Sequence, residues 1–357
     1  MTATTSFTDT RTAWIDNVRV LATIAVIILH VSAFGVSIEY NQVHHATPVW
    51  WVLNFYESLS RCCVPLFVML TGALLLPKPA PLGYFLKKRL SRIIFPFIFW
   101  SIVYLVFNVV VVVSHHGWQA LHHLGHWFIS QVVYGTAVHL WYVYMLIGLY
   151  LFIPVIQVWV ISASNTAIIY FLLIWVLTLL IKQFHLLPQD APFNLEYFSG
   201  YLGYLLLGYY LSARLVISNK IMYMALLLSV AGLAATFIGT YLLTHSEGQF
   251  SDNWYNYLTL NVALQSAGTF ILIKTYAPSG QKGVIAYTRN VISRYGFGIY
   301  LCHLLVLTII AHFNIEYRFI TPIIGVPLSA LVCLIGSYVL LYVVDKAPLG
   351  KYISGKI

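Results

Sequence analysis

Apolar windows recur along this chain at about 18–38, 50–76, 93–113, 140–160, 166–181, 196–215, 220–243, 255–276, 292–314 and 320–344. A helix that spans a bilayer needs roughly 20 mostly apolar residues, and these windows meet that length, with 166–181 the shortest. The expected fold is an all-α integral membrane protein, a bundle of about ten transmembrane helices. With 60% of residues hydrophobic and 8% charged, a water-soluble globule could not cover its own surface. Neither an internal repeat nor a separate soluble domain is visible, so residues 1–357 read as one domain with a polar segment at 1–17 and a short tail at 345–357. The N-terminal segment is polar for too long to suggest a cleaved signal peptide. The stretch 117–135 reads instead as an amphipathic segment on the outer face.

An even number of spans puts both termini on one side of the membrane. Of the 19 Lys and Arg residues, only Lys182 and Arg318 fall on the opposite side, and Arg61 falls inside a span. That asymmetry places both termini in the cytoplasm by the positive-inside rule. The net charge of +9 is thus sorted by membrane side and forms no stripe for nucleic acid. The cysteines Cys62, Cys63, Cys302 and Cys333 lie inside apolar runs, and packing is their expected role.

Against this background the polar residues at depth stand out. Arg19 and His30 are eleven residues apart, about 16 Å and about 1100° along a helix, which brings them onto one groove. Asp16, three residues before Arg19, is placed to pair with it. Glu57 and Arg61 stand at i and i+4, a spacing that suits mutual neutralisation in an apolar surround. Tyr300 lies one turn before His303 on the same helix face. His30, Arg61 and His303 all fall at middle depth, which predicts one shared polar cavity. Plain alternatives exist: Arg19 suits a positive-inside anchor, His30 a bonded core histidine, and Glu57–Arg61 a structural ion pair.

Lys87, Lys88, Arg89 and Arg92 crowd the cytoplasmic start of the third span, where lipid headgroups would attract them. Arg89 and Arg92 also share a helix face, and arginine forks suit phosphates. On the outer side, residues 114–139 hold His115, His116, His122, His123, His126 and His139. His122 and His126 have a spacing that metals use, but no carboxylate or cysteine is near, and no metal is expected. The outer loop near Glu247, Asp252, Asn253 and Trp254 suits either a sugar or an interfacial aromatic belt.

Taken in order, "WIDNVRVLATIAVIILH", "SRCCVPLFVMLTGALLL", "RLSR", "HLWYVYMLIGLYLFIP", "FSDNWY" and "SRYGFGIYLCH" resemble the membrane acyltransferase 3 family. The nearest likeness is its branch of bacterial surface-polysaccharide O-acetyltransferases, such as that of the enterobacterial common antigen. Val20, where a glycine commonly follows the arginine, and Ala73, where an aromatic residue usually follows the glycine, depart from the family pattern. The resemblance implies an acyltransferase of the bacterial inner membrane. It would use acetyl-CoA or another acyl-CoA as donor and a glycan hydroxyl, free or on a lipid-linked sugar, as acceptor, with no nucleic acid and no assigned oligomeric state. Arg19, supported by Asp16, would bind CoA phosphates with Arg89 and Arg92. His30 would act as base or acyl carrier, Arg61 with Glu57 would stabilise the oxyanion, and His303 with Tyr300 would orient the acceptor. Ten helices with charged midplane residues also describe a secondary transporter of a small polar solute. Paired histidines could equally ligate haem.

Overall fold

The computed structural model describes residues 6–117, 131, 135–187, 200–276 and 283–356, apart from the side chains of 6–12 and His116. The expected amphipathic segment at 117–135 lies almost wholly outside these residues, as do His122, His123 and His126. Among the described residues the chain is helical and has no strand. Eight helical runs are long and apolar enough to cross a membrane. In chain order they begin with α1 (Ser6–Val43), which spans from Ala13, and the pair α2 (Pro48–Ser60) and α3 (Cys63–Leu75). Next come α4 (Leu82–Phe85) and α5 (Ser91–His116), joined by a π-helical turn at Leu86–Leu90. The others are α6 (Trp141–Ser162), α7 (Asn165–Gln183), α9 (Asn219–Glu247), α11 (Val284–Ala311) and α12 (Pro322–Asp345).

Two of the ten expected spans take another form. The described part of 196–215 is α8 (Leu202–Tyr209) continued by a π turn at Tyr210–Arg214. The window 255–276 becomes α10 (Leu260–Thr275), 16 residues long, because its first residues fold as a loop. α10 is an interior helix whose buried amides donate into its neighbours. Asn261 donates to Thr236 Oγ1 and to the Trp254 carbonyl, and Gln265 donates to the carbonyls of Ser58 and Leu59.

The second expected span is broken, not continuous. Proline has no N–H, and its ring crowds the carbonyl four residues earlier. Pro65 therefore releases the Arg61 carbonyl, and the helix resets at Arg61–Cys62. Irregular backbone at this depth is stable only where protein or a cavity surrounds it. Gln265 meets that need by binding the carbonyls just before the break.

α1 lies at the centre, packed against α2, α3, α10, α11 and α12. The loop after α9 is tied to the far end of α1, where the Phe250 N–H donates to Asn41 Oδ1 at 2.9 Å. The opposite end of the bundle is marked by Arg19. There the C-terminal tail, including α13 (Gly350–Ile353), folds back: Trp100 Nε1 donates to the Ile353 carbonyl, and Lys356 pairs with Asp345.

α3 and α8 touch backbone to backbone. A Cβ on Gly72 would fall 1.9 Å from the Leu205 carbonyl oxygen, and one on Gly208 would fall 2.0 Å from that of Met69. Helices in lipid gain most of their association from such close packing at small residues. Gly208→Ala must force the two helices apart, and a cost of about 1–3 kcal/mol is expected. The melting temperature of the purified protein should fall clearly; an unchanged value would contradict the contact.

Candidate active site

The arginine end of the bundle holds the first part of the site. Arg19 Nη1 lies 3.5 Å from Asp16 Oδ1 and 3.4 Å from Ser293 Oγ, and the Ser293 hydroxyl donates to Asp16 at 2.5 Å. Asp16 therefore stands where the helical spacing put it, and Ser293 of α11, which the sequence did not single out, completes the clamp. The guanidinium is held at the mouth of a cavity of about 180 Å³ that Arg89 and Arg92 also line. Lys87 and Lys88 are exposed while Arg89 is half-buried. All three lie in the π turn that leads into α5.

Beyond the three arginines the cavity becomes apolar, walled by α3 and α6, and it ends on Tyr142 and Tyr300. These two rings meet edge to face with centroids 5.1 Å apart. Next to them stand three histidines. The ring centroids of His30 and His303 are 5.0 Å apart, those of His139 and His303 4.9 Å, and those of His30 and His139 6.2 Å. The structure thus joins the expected His30 and His303 and adds His139 from the turn before α6. His139 had been grouped with the outer-face histidines. The one sequence signal setting it apart was its position directly against an apolar span.

The bonding of the rings fixes their free nitrogens. A carbonyl oxygen can only accept, so a ring nitrogen bonded to it must carry the proton. His303 Nδ1 lies 2.6 Å from the Tyr300 carbonyl, which leaves Nε2 with its lone pair and no other partner among the described residues. His139 Nε2 lies 3.2 Å from the Leu301 carbonyl, leaving Nδ1 likewise free. His30 is only half-buried, whereas His303 is fully enclosed. His30 is therefore the least enclosed of the three residues, although it lines neither that cavity nor a second one that Arg61 borders. The Tyr300 hydroxyl donates to the His139 backbone carbonyl, so its proton is committed to holding the histidine cluster together and is not free for a ligand.

Glu57 and Arg61 form the expected ion pair, and of the expected trio His30, Arg61 and His303 only Arg61 lines either of these two cavities. Glu57 is 0% exposed; one oxygen binds Arg61 and the other accepts from Ser32 Oγ at 2.8 Å. With both oxygens used, this carboxylate holds the charge of Arg61 in place. The Arg61 guanidinium lies 4.5 Å from the Tyr255 ring centroid and 5.5 Å from that of Tyr257. It lines a second cavity, of about 290 Å³, with Trp141, Tyr201 and the 252–257 loop. That loop belongs to the Asn41 end of α1, so the two cavities approach from opposite ends. Consecutive residues on α6 separate them, with Trp141 facing one and Tyr142 the other. A helix that breaks at Arg61 is what turns its side chain away from the first cavity.

Among the described residues no group of three His, Cys, Asp or Glu side chains is arranged to hold a metal ion. The four cysteines are buried and unpaired, and Cys333 Sγ sits against the His303 carbonyl at 3.4 Å.

An apolar cavity guarded by arginines and ending on two tyrosines, one of them packed against a histidine cluster, is suited to a long, thin donor with an anionic head and a reactive end. The acyltransferase domain model matches residues 12–342, and the chain belongs to the acyltransferase 3 family. It is an acyltransferase. No curated protein and no solved structure matches it.

Proposed function

We propose that this protein transfers an acetyl or similar acyl group from acyl-CoA to a hydroxyl of a cell-surface glycan or its lipid-linked precursor in the bacterial inner membrane. The observation that carries this reading is the continuity from Arg19, Arg89 and Arg92 through an apolar cavity to Tyr142 and Tyr300 beside the histidines. Arginine forks bind the pyrophosphate of CoA, and the narrow apolar passage takes the pantetheine arm. Arg92 also borders a groove containing Lys87, Lys88, Lys351 and Lys356, where the nucleotide end of the donor would lie. α8 with its π turn and α10 complete a ten-segment bundle. Both termini are then cytoplasmic, and the three arginines face the cytoplasmic pool of acyl-CoA. The likeness to the enterobacterial common antigen branch supports a surface glycan as acceptor.

In this mechanism His30, the least enclosed of the three histidines, takes the proton from the acceptor hydroxyl. The hydroxyl oxygen attacks the thioester carbonyl carbon, the C–S bond breaks, and the departing sulfur takes up a proton to leave as CoA thiol. His303 and His139, each with one free nitrogen, orient His30 and share its proton. Arg61, held by Glu57, supplies positive charge near the oxyanion.

Donor binding gives the direct test. A charged hydrogen bond is worth about 1.5–3 kcal/mol, so Arg92→Ala should raise the KM for acetyl-CoA by roughly ten- to a hundredfold. Its kcat should change little in a CoA-thiol release assay on purified protein. An unchanged KM in both Arg92→Ala and Arg89→Ala would refute the proposed donor path.

A further inference from the structure

The second cavity has no part in donor binding, and its lining has a distinct chemistry. Trp141 faces Tyr201 at 5.8 Å between ring centroids and Tyr257 at 5.7 Å, with interplanar angles of 39° and 32°. All three rings border the cavity. Rings of a lipid-facing belt would point outward, whereas these converge on an open cavity whose rim carries the exposed side chains of Asp252, Asn253 and Asn256. The loop bearing them is pinned in place. Tyr255 Oη donates to Asn54 Oδ1 at 2.6 Å, the Asn261 amide holds the Trp254 carbonyl at 2.8 Å, and Tyr204 Oη donates to the Tyr257 carbonyl at 2.5 Å. A preorganised cavity with aromatic walls and a few fixed polar groups is the usual form of a small-ligand site.

From this juxtaposition we infer that the cavity between Trp141 and the 252–257 loop is a pyranose-binding subsite selective for uncharged sugars. Trp141 supplies the face on which the C–H side of the ring stacks, and Asp252 and Asn253 take its hydroxyls. The inference rests on the acyl-transfer reading for its place in the reaction, as the acceptor end of the site. The preference for neutral sugars follows from a charge count. Glu57 already neutralises Arg61, and Asp252 has no ion-pair partner among the described residues. The cavity therefore presents a net negative charge, which repels a uronic acid and leaves a neutral or N-acetylated hexose unopposed.

The experiment is saturation-transfer NMR on the full chain in lipid nanodiscs, which avoids glycoside detergents. The probes are the methyl pyranosides of glucose, galactose and N-acetylglucosamine, with methyl glucuronide as the charged counterpart. Neutral probes should bind and the glucuronide should bind at least about tenfold more weakly. Trp141→Leu should weaken the neutral probes by about tenfold. Asp252→Asn, a change in an exposed loop, should narrow the gap between glucoside and glucuronide. Absence of neutral-probe binding, or binding and selectivity unchanged in both variants, overturns the subsite. CoA-thiol release from acetyl-CoA is read on the same preparation. Sugar binding without CoA release would keep the subsite and remove the acyl-transfer reading; CoA release without sugar binding would do the reverse.

Discussion

Replacing His30 with alanine should lower acceptor-dependent CoA release by roughly a hundred- to ten-thousand-fold, the range that a positioned general base contributes. Binding of acetyl-CoA should persist, because the arginines proposed to hold its phosphates are separate from His30, with Arg19 three helical turns away on α1 and Arg89 and Arg92 at the start of α5. Calorimetric titration of acetyl-CoA beside the turnover assay separates these effects. A parallel loss of binding would mean that the substitution collapsed the bundle, and unimpaired turnover would exclude His30 as the base. His303→Gln is the informative companion. The amide can keep a polar atom in the enclosed space but accepts a proton poorly. The expected outcome is a folded protein with turnover greatly reduced, and near-normal turnover would confine His303 to packing.

The other large effect concerns stability. Glu57→Ala would leave the Arg61 guanidinium, whose side chain is 14% exposed, without a counter-charge in the bundle interior. Breaking a buried pair from one side costs about 3–5 kcal/mol, while replacing both partners with apolar residues of similar size is often near neutral. The single variant should therefore melt far below wild type or fail to accumulate. The double variant Glu57→Leu with Arg61→Met should recover most of that stability while remaining inactive. Melting curves of the purified proteins check both expectations. A Glu57→Ala protein as stable as wild type would show that the charge is not held by this pair, and an active double variant would remove Arg61 from the chemistry.

Much of this arrangement was legible because it rests on period and charge. Helical phase alone put Asp16, Arg19 and His30 on one groove, and the side preference of Lys and Arg directed attention to Arg89 and Arg92, which do line the same cavity as Arg19. Contacts made only in three dimensions were less legible. His139 sits in a histidine-rich stretch that reads as solvated, and only the packing of α6 against α11 brings it to His303. Pro65 was visible, yet a proline in a span can bend a helix or break it. The outcome here depends on Gln265, 207 residues from Ser58 along the chain. The division into two cavities escaped notice for the same reason, since it follows from where the break points Arg61. α10 was misjudged at its start because Tyr255 and Tyr257 look like span residues until Asn54 and Tyr204 are seen to hold them in a loop.

Trp141 and Tyr142 mark a wall one aromatic layer thick between cavities that reach inward from opposite ends of the bundle. In an energised membrane this has an electrical consequence. With electrolyte in both cavities, the potentials of the two bulk phases extend inward. The voltage then falls across that layer and not across the roughly 30 Å of the hydrocarbon core. A charge crossing it gains or loses nearly the full potential, about 2.3 kcal/mol for each 100 mV. Under the proposed mechanism, protons handed among His30, His139 and His303 would move in that field, and turnover would be sensitive to the membrane voltage. The tight meeting of Tyr142 with Tyr300 would then also act as an insulator between the two cavities.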